Sequence, residues 1–432
     1  MDPLERPKLR RVLSAREVVH EGERFAQLQD ESGALDTPVL VPLSWYHHIL
    51  RHFDGLTTLV EIQARILKET GQLLPNDRLE SIVRDLDRAL ILEGPSYREF
   101  LENYRNAGVR KAAMAGKSYP PTERSLKARL GRFFSDPQGA GVAEARNGDS
   151  PSSLRGILSP HIDFDRGGLV YSWPYRELVE RSDADVFVIF GVAHRLCSRR
   201  FALTYKDFET PLGLARTDRG FLDEIVAKVG PQYFEDELAH RTEHSIEFQV
   251  VFLQYLLGES RDYSIVPILV GSFHDLMKKK VDPMDDPEIK AFVEAIRETA
   301  AGSGSRVCYI GGIDLCHVGP EFGDPAPVSD ATLDEIRAFD TAMLDRATAG
   351  DPAGWFRQAS AVDDRWRVCG LAATYTMLQV MGPTKGRLLR YDQAVDAKRS
   401  CCVTIAGVAY DALDPVVAPL KNTLPTAEAL QP

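Results

Sequence analysis

Cysteine is scarce in this sequence, with six residues in 432 and no CxxC pair. So few thiols do not build a disulfide framework, and their spacing excludes a zinc ribbon, so we expect them to be reduced. Long apolar runs are also absent. No stretch approaches the roughly 18 consecutive apolar residues of a membrane span, and the first residues lack the apolar core of a signal peptide. These absences predict a cytoplasmic protein that does not bind or enter a membrane.

Several catalytic signatures are missing as well. We find no GxxxxGK[ST] loop, no GxGxxG after a strand, no GxSxG nucleophile elbow and no repeat of fixed period. Their absence argues against the nucleotide-binding loops and the hydrolase elbow that those patterns mark. The formal net charge of −11 disfavours a protein that coats nucleic acid or an anionic membrane. The 44% hydrophobic content is enough for a sizeable core.

The length predicts at least two domains, of which the first is expected to span residues 1–110. Short apolar stretches broken by turn residues predict a hairpin over 24–42 and a strand ending at Gly94. Helical patterns, in which apolar residues recur every three or four positions, predict helices that begin at Ser44, at Leu59 and near Leu79. Thr57 or Thr58 is the expected cap of the second helix. This order of elements indicates a small winged-helix-like α+β module.

Three roles remain open for this module: docking of a peptide or protein partner, purely structural packing, and DNA binding. The expected recognition helix, from Asp77 to Arg88, mixes acids with bases, which disfavours contact with phosphates. We therefore expect no nucleic-acid partner. His47, His48 and His52 do not converge at helical spacing, so they are expected to be structural.

From residue 154 onward, apolar runs alternate with helical patterns. The predicted strands are 155–159, 185–190, 263–270, 306–312 and 402–409, and the predicted helices are 168–180, 218–229, 243–257, 286–301, 330–347 and 370–381. This alternation favours an α/β domain over 111–413, with helices on both faces of a largely parallel sheet. Residues 136–153 are expected to be a flexible loop, and residues 414–432 a poorly ordered tail.

Groups that bind metal or move protons follow two of these strands. His161 and His194 each lie just beyond a strand, where ligands usually bind in α/β proteins. Asp163 and Asp165 follow His161 on the same loop. Cys369 opens a predicted helix, where the helix dipole lowers the pKa of a thiol and favours a metal-binding or nucleophilic thiolate. The alternative to a functional site is that His161 and His194 are ordinary surface residues and that Cys369 is a small buried residue that fills space.

Two further patterns concern proton transfer. Asp314 and His317, spaced as Asp-x-x-His after a strand, are expected to form a carboxylate–imidazole pair that acts as a base or supports the site. His240 and His244 have the spacing of a helical metal pair, but the HExxH order is missing. Thr242 is the expected cap of a helix from residue 243, which places His244 and Glu247 on one face toward the site.

The C-terminal two-thirds, roughly 112–411, resembles the Memo-like family in its bacterial form, AmmeMemoRadiSam system protein B. The resemblance rests on ordered motifs: Ala115-Gly-Lys-Ser-Tyr-Pro, Pro160-His161, Gly191-Val-Ala-His194, Glu243-His-Ser-Ile-Glu247, Val266-Pro-Ile-Leu-Val-Gly271, Asp314-Leu-Cys-His317 and Cys369-Gly370. The N-terminal module resembles PqqD-like modules that bind leader peptides or partner proteins, through Phe53-Asp-Gly-Leu-Thr-Thr-Leu-Val-Glu-Ile and Leu86-Asp-Arg-Ala-Leu-Ile-Leu-Glu.

The family resemblance implies a three-layer α/β/α fold similar to class III extradiol dioxygenases, in which non-haem iron is held by two histidines and a carboxylate. It implies His161, His194 and Cys369 as ligands of a divalent metal, with Fe(II) first and Cu or Zn as alternatives. It also implies that Asp314, His317 and His244 line the same pocket, and that a radical-SAM protein and an AMMECR-type protein are partners. Asp163 departs from the family's usual small residues, so it is a further candidate ligand or base.

Three functions follow from the residues and the resemblance. The first is a metal-dependent oxidoreductase in which His317 moves a proton and His244 stabilises the bound substrate or oxygen. The second is a non-catalytic metal-binding adaptor of a modification system. The third is a metal-assisted hydrolase in which Asp163 or Asp314 activates water.

Overall fold

The computed structural model describes residues 4–144, 152–195, 197–258 and 260–413. The predicted tail, 414–432, lies outside the described residues, as do residues 145–151 of the predicted loop. The described part of that loop, 136–144, forms turns and irregular structure after a helix that ends at Ser135.

The strands include five that match the predicted ones closely. In chain order they are β1 (Leu13–His20), β2 (Glu23–Asp30), β3 (Val39–Pro42), β4 (Val109–Arg110), β5 (Leu154–Ser159), β6 (Val186–Val192), β7 (Phe201–Leu203), β8 (Asp207–Thr210), β9 (Gly213–Ala215), β10 (Ser264–Val270), β11 (Val307–Gly312), β12 (His317–Val318), β13 (Thr384–Val395) and β14 (Cys402–Ala412).

The helices follow the predicted order, with short additions. They are α1 (Leu43–His48), α2 (Leu59–Thr70), α3 (Asn76–Arg88), α4 (Pro95–Asn106), α5 (Glu123–Ser135), α6 (Phe164–Arg181), α7 (Arg219–Val229), α8 (Glu247–Leu257), α9 (His274–Lys279), α10 (Pro287–Gly302), α11 (Asp330–Thr348), α12 (Pro352–Ser360) and α13 (Leu371–Met381). Among the described residues, no helix combines the length and apolarity needed to cross a bilayer.

The large sheet is mixed. Its strand order over the described residues is β12-β14-β5-β11-β6-β10-β7, with β13 paired to β14. The four central strands β5, β11, β6 and β10 are parallel to one another. β14, β12, β13 and β7 each run antiparallel to the strand beside them. The prediction of a largely parallel sheet is therefore correct for the centre and wrong for the edges.

Helices cover both faces of this sheet. Val186, Val188 and Phe190 of β6 pack into one hydrophobic cluster, whereas Phe187 and Ile189 pack into the other. The first cluster includes residues of α7, α10, α11, α12 and α13, and the second includes residues of α5, α6 and α8. A strand with neighbours on both faces is apolar without alternation, as the run from Val186 to Phe190 is.

Side-chain caps fix several helix starts. Thr58, one of the two caps predicted for α2, forms a capping box with Glu61, and Thr122 caps α5. The prediction for α8 was wrong: this helix begins at Glu247, and Thr242 does not cap it. Glu243 and His244 have no regular structure and are followed by a turn at residues 245–246, so neither is on the helix.

The N-terminal region has its own hydrophobic cluster, built from residues between Ala26 and Leu92. β2 pairs with β3, as expected of the predicted hairpin, and β2 also pairs with β1, which the sequence did not predict. The predicted strand before Gly94 is not formed, and only an isolated bridge joins Leu9 to Leu92 there. The boundary at residue 110 and the winged-helix assignment stay predictions.

Candidate metal centre

Three chain segments meet at the carboxyl edge of the central strands. His161 lies two residues after β5, His194 two residues after β6, and Cys369 two residues before α13. One ligand atom from each of these residues lies within 4.8 Å of the other two. The structure therefore brings together the three residues that the sequence singled out as metal ligands.

His161 is buried, with 2% of its surface exposed. Its Nδ1 lies 2.9 Å from the Gly312 carbonyl oxygen. Because a carbonyl only accepts, Nδ1 carries a proton and donates it, so Nε2 is the nitrogen left for a metal ion once the ring is neutral. Nε2 lies 3.0 Å from Cys369 Sγ. The ring is thus held in the tautomer that a metal ligand needs.

Glu243 orients His194 in the same way. Both Glu243 carboxylate oxygens lie near His194 Nδ1, at 3.0 and 3.1 Å, and the backbone N–H of His194 donates to Oε2 at 3.0 Å. The carboxylate also accepts from the backbone N–H groups of His244 and Ser245. His194 Nε2 is left facing Cys369 Sγ at 3.9 Å. Sequence reasoning gave Glu243 no role, although its place directly before His244 was a usable signal.

Backbone contacts fix the position of Cys369. Its N–H donates to the Leu315 carbonyl, and the N–H of Gly370 donates to the Asp314 carbonyl. A Cβ on Gly370 would lie 2.6 Å from Ile313 Cβ and 2.8 Å from that Asp314 oxygen. Only glycine permits so close an approach of the two segments, so residue 370 sets the place of the thiol.

The turn before Cys369 is strained. Asp363, Asp364 and Arg367 adopt left-handed φ angles of 49°, 47° and 53°. Such residues persist where their surroundings hold them, often at functional sites. Here Asp364 accepts the Val368 N–H at 2.8 Å, and Arg367 Nε donates to the His317 carbonyl at 3.1 Å.

The charge state of the cluster suits metal binding. Burial by itself raises the pKa of the Cys369 thiol, but the charge of His161 and hydrogen bonds from both histidines lower that pKa to about 5. Burial lowers the pKa of His161, and the charges of Cys369 and Asp314 outweigh it and raise the pKa to about 9. A thiolate beside an imidazolium results. A metal ion would displace the imidazolium proton.

The donor spacing fits a metal ion. Around a tetrahedral ion, nitrogen and sulfur donors at bond lengths of about 2.0 and 2.3 Å are about 3.5 Å apart. The two nitrogen–sulfur distances, 3.0 and 3.9 Å, lie on either side of that value. Two imidazoles and a thiolate suit iron, copper and zinc.

His244 completes a cluster of three imidazoles. Its ring stacks on that of His194, with centroids 4.8 Å apart and an interplanar angle of 16°, and meets His161 edge-on at 5.2 Å. Burial, together with the charges of the two other histidines, lowers the pKa of His244 to about 3 against the opposing effect of Glu243. His244 is therefore neutral at physiological pH.

The expected pair of Asp314 and His317 was wrong. Asp314 Oδ1 accepts the backbone N–H groups of His161 and Ile162, and Oδ2 lies 3.6 Å from His161 Nε2. The ring of His317 instead contacts the Leu315 carbonyl through Nδ1 at 3.1 Å. Asp314 therefore supports His161, because the turn after β11 directs its carboxylate toward the loop after β5.

Three other acidic residues also differ from expectation. Asp163 caps α6 by accepting from the backbone of Asp165 and Arg166, and it also binds the Arg166 side chain, so its oxygens are engaged. Asp165 forms an ion pair with Arg129. Glu247 does not share a face with His244 toward the site, because it is fully buried against Arg110.

A cavity of about 360 Å³ opens beside the donors. His194, Cys369 and His317 contribute to its polar wall, and Phe273 and Met277 to its apolar wall. Of the predicted site residues, His194, Cys369 and His317 line this space, which is large enough for a small substrate. His161, Asp314 and His244 are not part of its lining, so the expected pocket is shared only in part.

Comparisons with known proteins identify the family to which this chain is similar. The family model described as Memo-like protein matches residues 110–409. A MEMO1 family protein of Aquifex aeolicus is 28% identical over 370 residues, covering 84% of this chain and 90% of the relative. Relatives from Thermus thermophilus (28% identical, 79% of this chain and 95% of the relative) and Methanopyrus kandleri (31%, 66% and 93%) carry the same family description. The Aquifex alignment extends into residues before 110, because too few residues follow 409 to account for its length.

Proposed function

Because this chain belongs to the Memo-like family, we propose that it is a metal-dependent oxidoreductase whose His161, His194 and Cys369 hold one divalent ion, with Fe(II) ahead of Cu or Zn. The observation that supports this most is the geometry of the two rings. Each histidine has its Nδ1 engaged by a carbonyl or a carboxylate and its Nε2 facing the Cys369 thiolate. Paired hydrogen bonds of this kind orient metal-binding imidazoles.

An iron(II) ion held by two histidines and one further residue supplies a redox centre with open coordination positions. The chain's own groups have distinct roles in this proposal. The Gly312 carbonyl and the Glu243 carboxylate orient the two ligand rings, and Asp314 holds the backbone of His161. His244, neutral and stacked on His194, donates or accepts a hydrogen bond at the substrate. His317 faces the cavity and moves a proton, without Asp314 as its partner. The apolar wall at Phe273 and Met277 excludes water.

Metal analysis of protein purified without air tests the ligand assignment. We expect close to one equivalent of iron in the wild type and a loss of most of it in His161→Ala and Cys369→Ala. His274→Ala is the matched control, since His274 lines the same cavity and is exposed but is not one of the three proposed ligands. Full metal content in the His161 and Cys369 variants would refute the assignment. Zinc as the native metal would favour the hydrolase instead.

The second candidate function is a metal-binding adaptor of a radical-SAM-associated modification system in the cytoplasm. The N-terminal region favours this reading, because large apolar side chains are exposed on and before α2: Leu56 at 73%, Val60 at 69% and Leu67 at 43%. Such a patch suits a peptide or protein partner. Neither candidate function involves nucleic acid or a membrane.

Co-purification with the radical-SAM and AMMECR-type proteins of the same genome tests the adaptor. We expect retention by the wild-type chain and loss in Leu56→Asp combined with Val60→Asp. Val19→Asp is the control, since Val19 is equally exposed, at 68%, on β1. Equal retention of both partners by the double variant would count against docking at this patch.

A further inference from the structure

Two arginines attach the metal centre to the N-terminal region. Arg195 directly follows the ligand His194, and Arg241 lies two residues before Glu243, which orients that ligand. Both side chains extend to one short stretch, residues 30–36, between β2 and β3. We call this stretch the 30–36 segment.

Arg195 joins the segment to both loops of the site. Its Nη1 donates to the Asp30 carbonyl at 3.0 Å, and its Nε donates to Thr242 Oγ1 at 3.3 Å. The Arg195 guanidinium therefore connects the loop that carries His194 to Thr242, the residue before Glu243, and to the N-terminal region.

Arg241 forms a stronger attachment. Its Nη1 donates to the Gly33 carbonyl at 2.9 Å, and its two terminal nitrogens bind the two carboxylate oxygens of Asp36 at 2.9 and 3.0 Å. Bidentate guanidinium–carboxylate pairs fix direction as well as distance. Arg241 thus holds the chain that leads to Glu243 in one orientation.

The 30–36 segment is itself fixed. Asp30 is buried, binds the buried Arg10 at 2.7 Å, and accepts the backbone N–H groups of Ser32 and Leu35. Gly33 has φ of 91°, and a Cβ there would lie 3.3 Å from the Leu238 carbonyl. The segment therefore packs tightly against the chain before the site instead of resting loosely on it.

We propose that the 30–36 segment is a positioning element of the metal centre. By holding Arg195 and Arg241 together, it fixes the loop after β6 against the turn before α8. That arrangement keeps the Glu243 carboxylate on His194 Nδ1, and hence His194 Nε2 directed at the ion. The inference rests on the proposed metal-binding function. It gives the N-terminal region a role in the site besides that of a docking module.

Cobalt(II) binding to the full chain tests the proposal, because a cobalt–thiolate centre is coloured and reports its geometry. We expect Asp36→Asn to weaken binding and to speed ion release by about 3–10-fold, less than the 10–100-fold typical of a residue that touches a ligand directly. The absorption band should shift as well. Asp36→Glu should restore binding, since it retains the carboxylate.

The controls separate positioning from general stability. Asp36 is 58% exposed in its ion pair with Arg241, so its loss should leave the thermal midpoint of the metal-free chain nearly unchanged. Asp185→Asn removes a similarly exposed pair with Arg306, at 3.0 Å on the edge of the sheet at which β6 and β11 begin, and should leave cobalt binding unchanged. Arg241→Met provides a second, stronger perturbation.

Hydrogen exchange gives an independent measurement. If the segment and the centre are coupled, cobalt should slow exchange of the backbone amides in 30–36, because coupling between two sites is reciprocal. The positioning role would be refuted if Asp36→Asn and Arg241→Met both bound and released cobalt like the wild type and gave the same spectrum, and if cobalt did not slow amide exchange in 30–36. If neither the wild-type chain nor the variants bound cobalt, the proposed metal-binding function would be refuted together with this inference.

Discussion

The fully buried ion pair between Arg110 and Glu247 supports a quantitative prediction that does not depend on any ligand. Neither side chain is exposed to solvent. Glu247 accepts from Arg110, from the Tyr119 hydroxyl and from the backbone N–H groups of Ala113 and Met114. We consider the substitution Glu247→Gln, which retains the shape of the side chain and removes its charge.

The expected cost follows from burial. A charge left without its partner in the interior costs about 3–5 kcal/mol. Gln also turns an amide N–H₂ toward groups that donate, so at least one hydrogen bond is lost. Arg110 cannot move to water easily, because it also donates to the His240 and Glu243 carbonyls. We therefore expect Glu247→Gln to lower the free energy of unfolding by about 4 kcal/mol.

Thermal denaturation of the metal-free chain measures this loss. For a cooperative unit the size of residues 110–409, 3–5 kcal/mol corresponds to a fall in Tm of roughly 5–8 °C. Arg110→Met combined with Glu247→Leu should recover part of the loss, because no charge then remains buried. A fall in Tm of less than about 2 °C in Glu247→Gln would refute the cost that we assign to leaving the Arg110 charge without its partner in the interior.

Three further predictions concern the site and its surroundings. Glu243→Gln should weaken zinc or cobalt binding about 10–100-fold, measured by chelator competition, because the imidazole that it orients loses its carboxylate; unchanged affinity would contradict that role. Gly370→Ala should reduce metal content and destabilise the chain by about 1–3 kcal/mol, since its Cβ would lie 2.6 Å from Ile313 Cβ, whereas Gly302→Ala, with open space around it, should do neither. His240 is fully buried, and burial is the main cause that lowers its pKa from 6.5 to about 4. Below pH 6.5 the unfolded chain therefore binds a proton that the folded chain refuses, so stability falls between pH 6.5 and 4, by roughly 3 kcal/mol; a pH series of urea midpoints should show this slope reduced in His240→Gln.

The central elements were predictable because their signals are local. Val186 to Phe190 is apolar at every position, and Thr58 precedes an amphipathic run, so neighbouring residues are sufficient to predict a buried strand and a helix start. The convergence of His161 with His194 followed from the same reasoning, since carboxyl ends of parallel strands share one edge.

The errors have a common physical cause. β13 carries charged and half-buried residues along Thr384–Val395, and its existence depends on pairing with β14 over nearly its full length. The Asp314 carboxylate lies beside His161, which is 153 residues away in the chain, and no local pattern records that contact. Glu247 has the spacing to face the site, but its carboxylate binds the buried Arg110 instead. A partner outside the local pattern decided each case: the following strand for β13, and residues more than 130 positions away for Asp314 and Glu247.

The wide separation of the donors along the chain has a consequence for how the centre is made. Cys369 is 208 residues beyond His161. At a synthesis rate of roughly 5–20 residues per second, the thiolate emerges about 10–40 s after the first imidazole. During that interval the growing chain contains no complete set of donors, and for most of it His161 also lacks the Asp314 carboxylate, which follows 153 residues later. The centre therefore assembles only after translation has passed α13, and ion capture belongs to the last steps of folding.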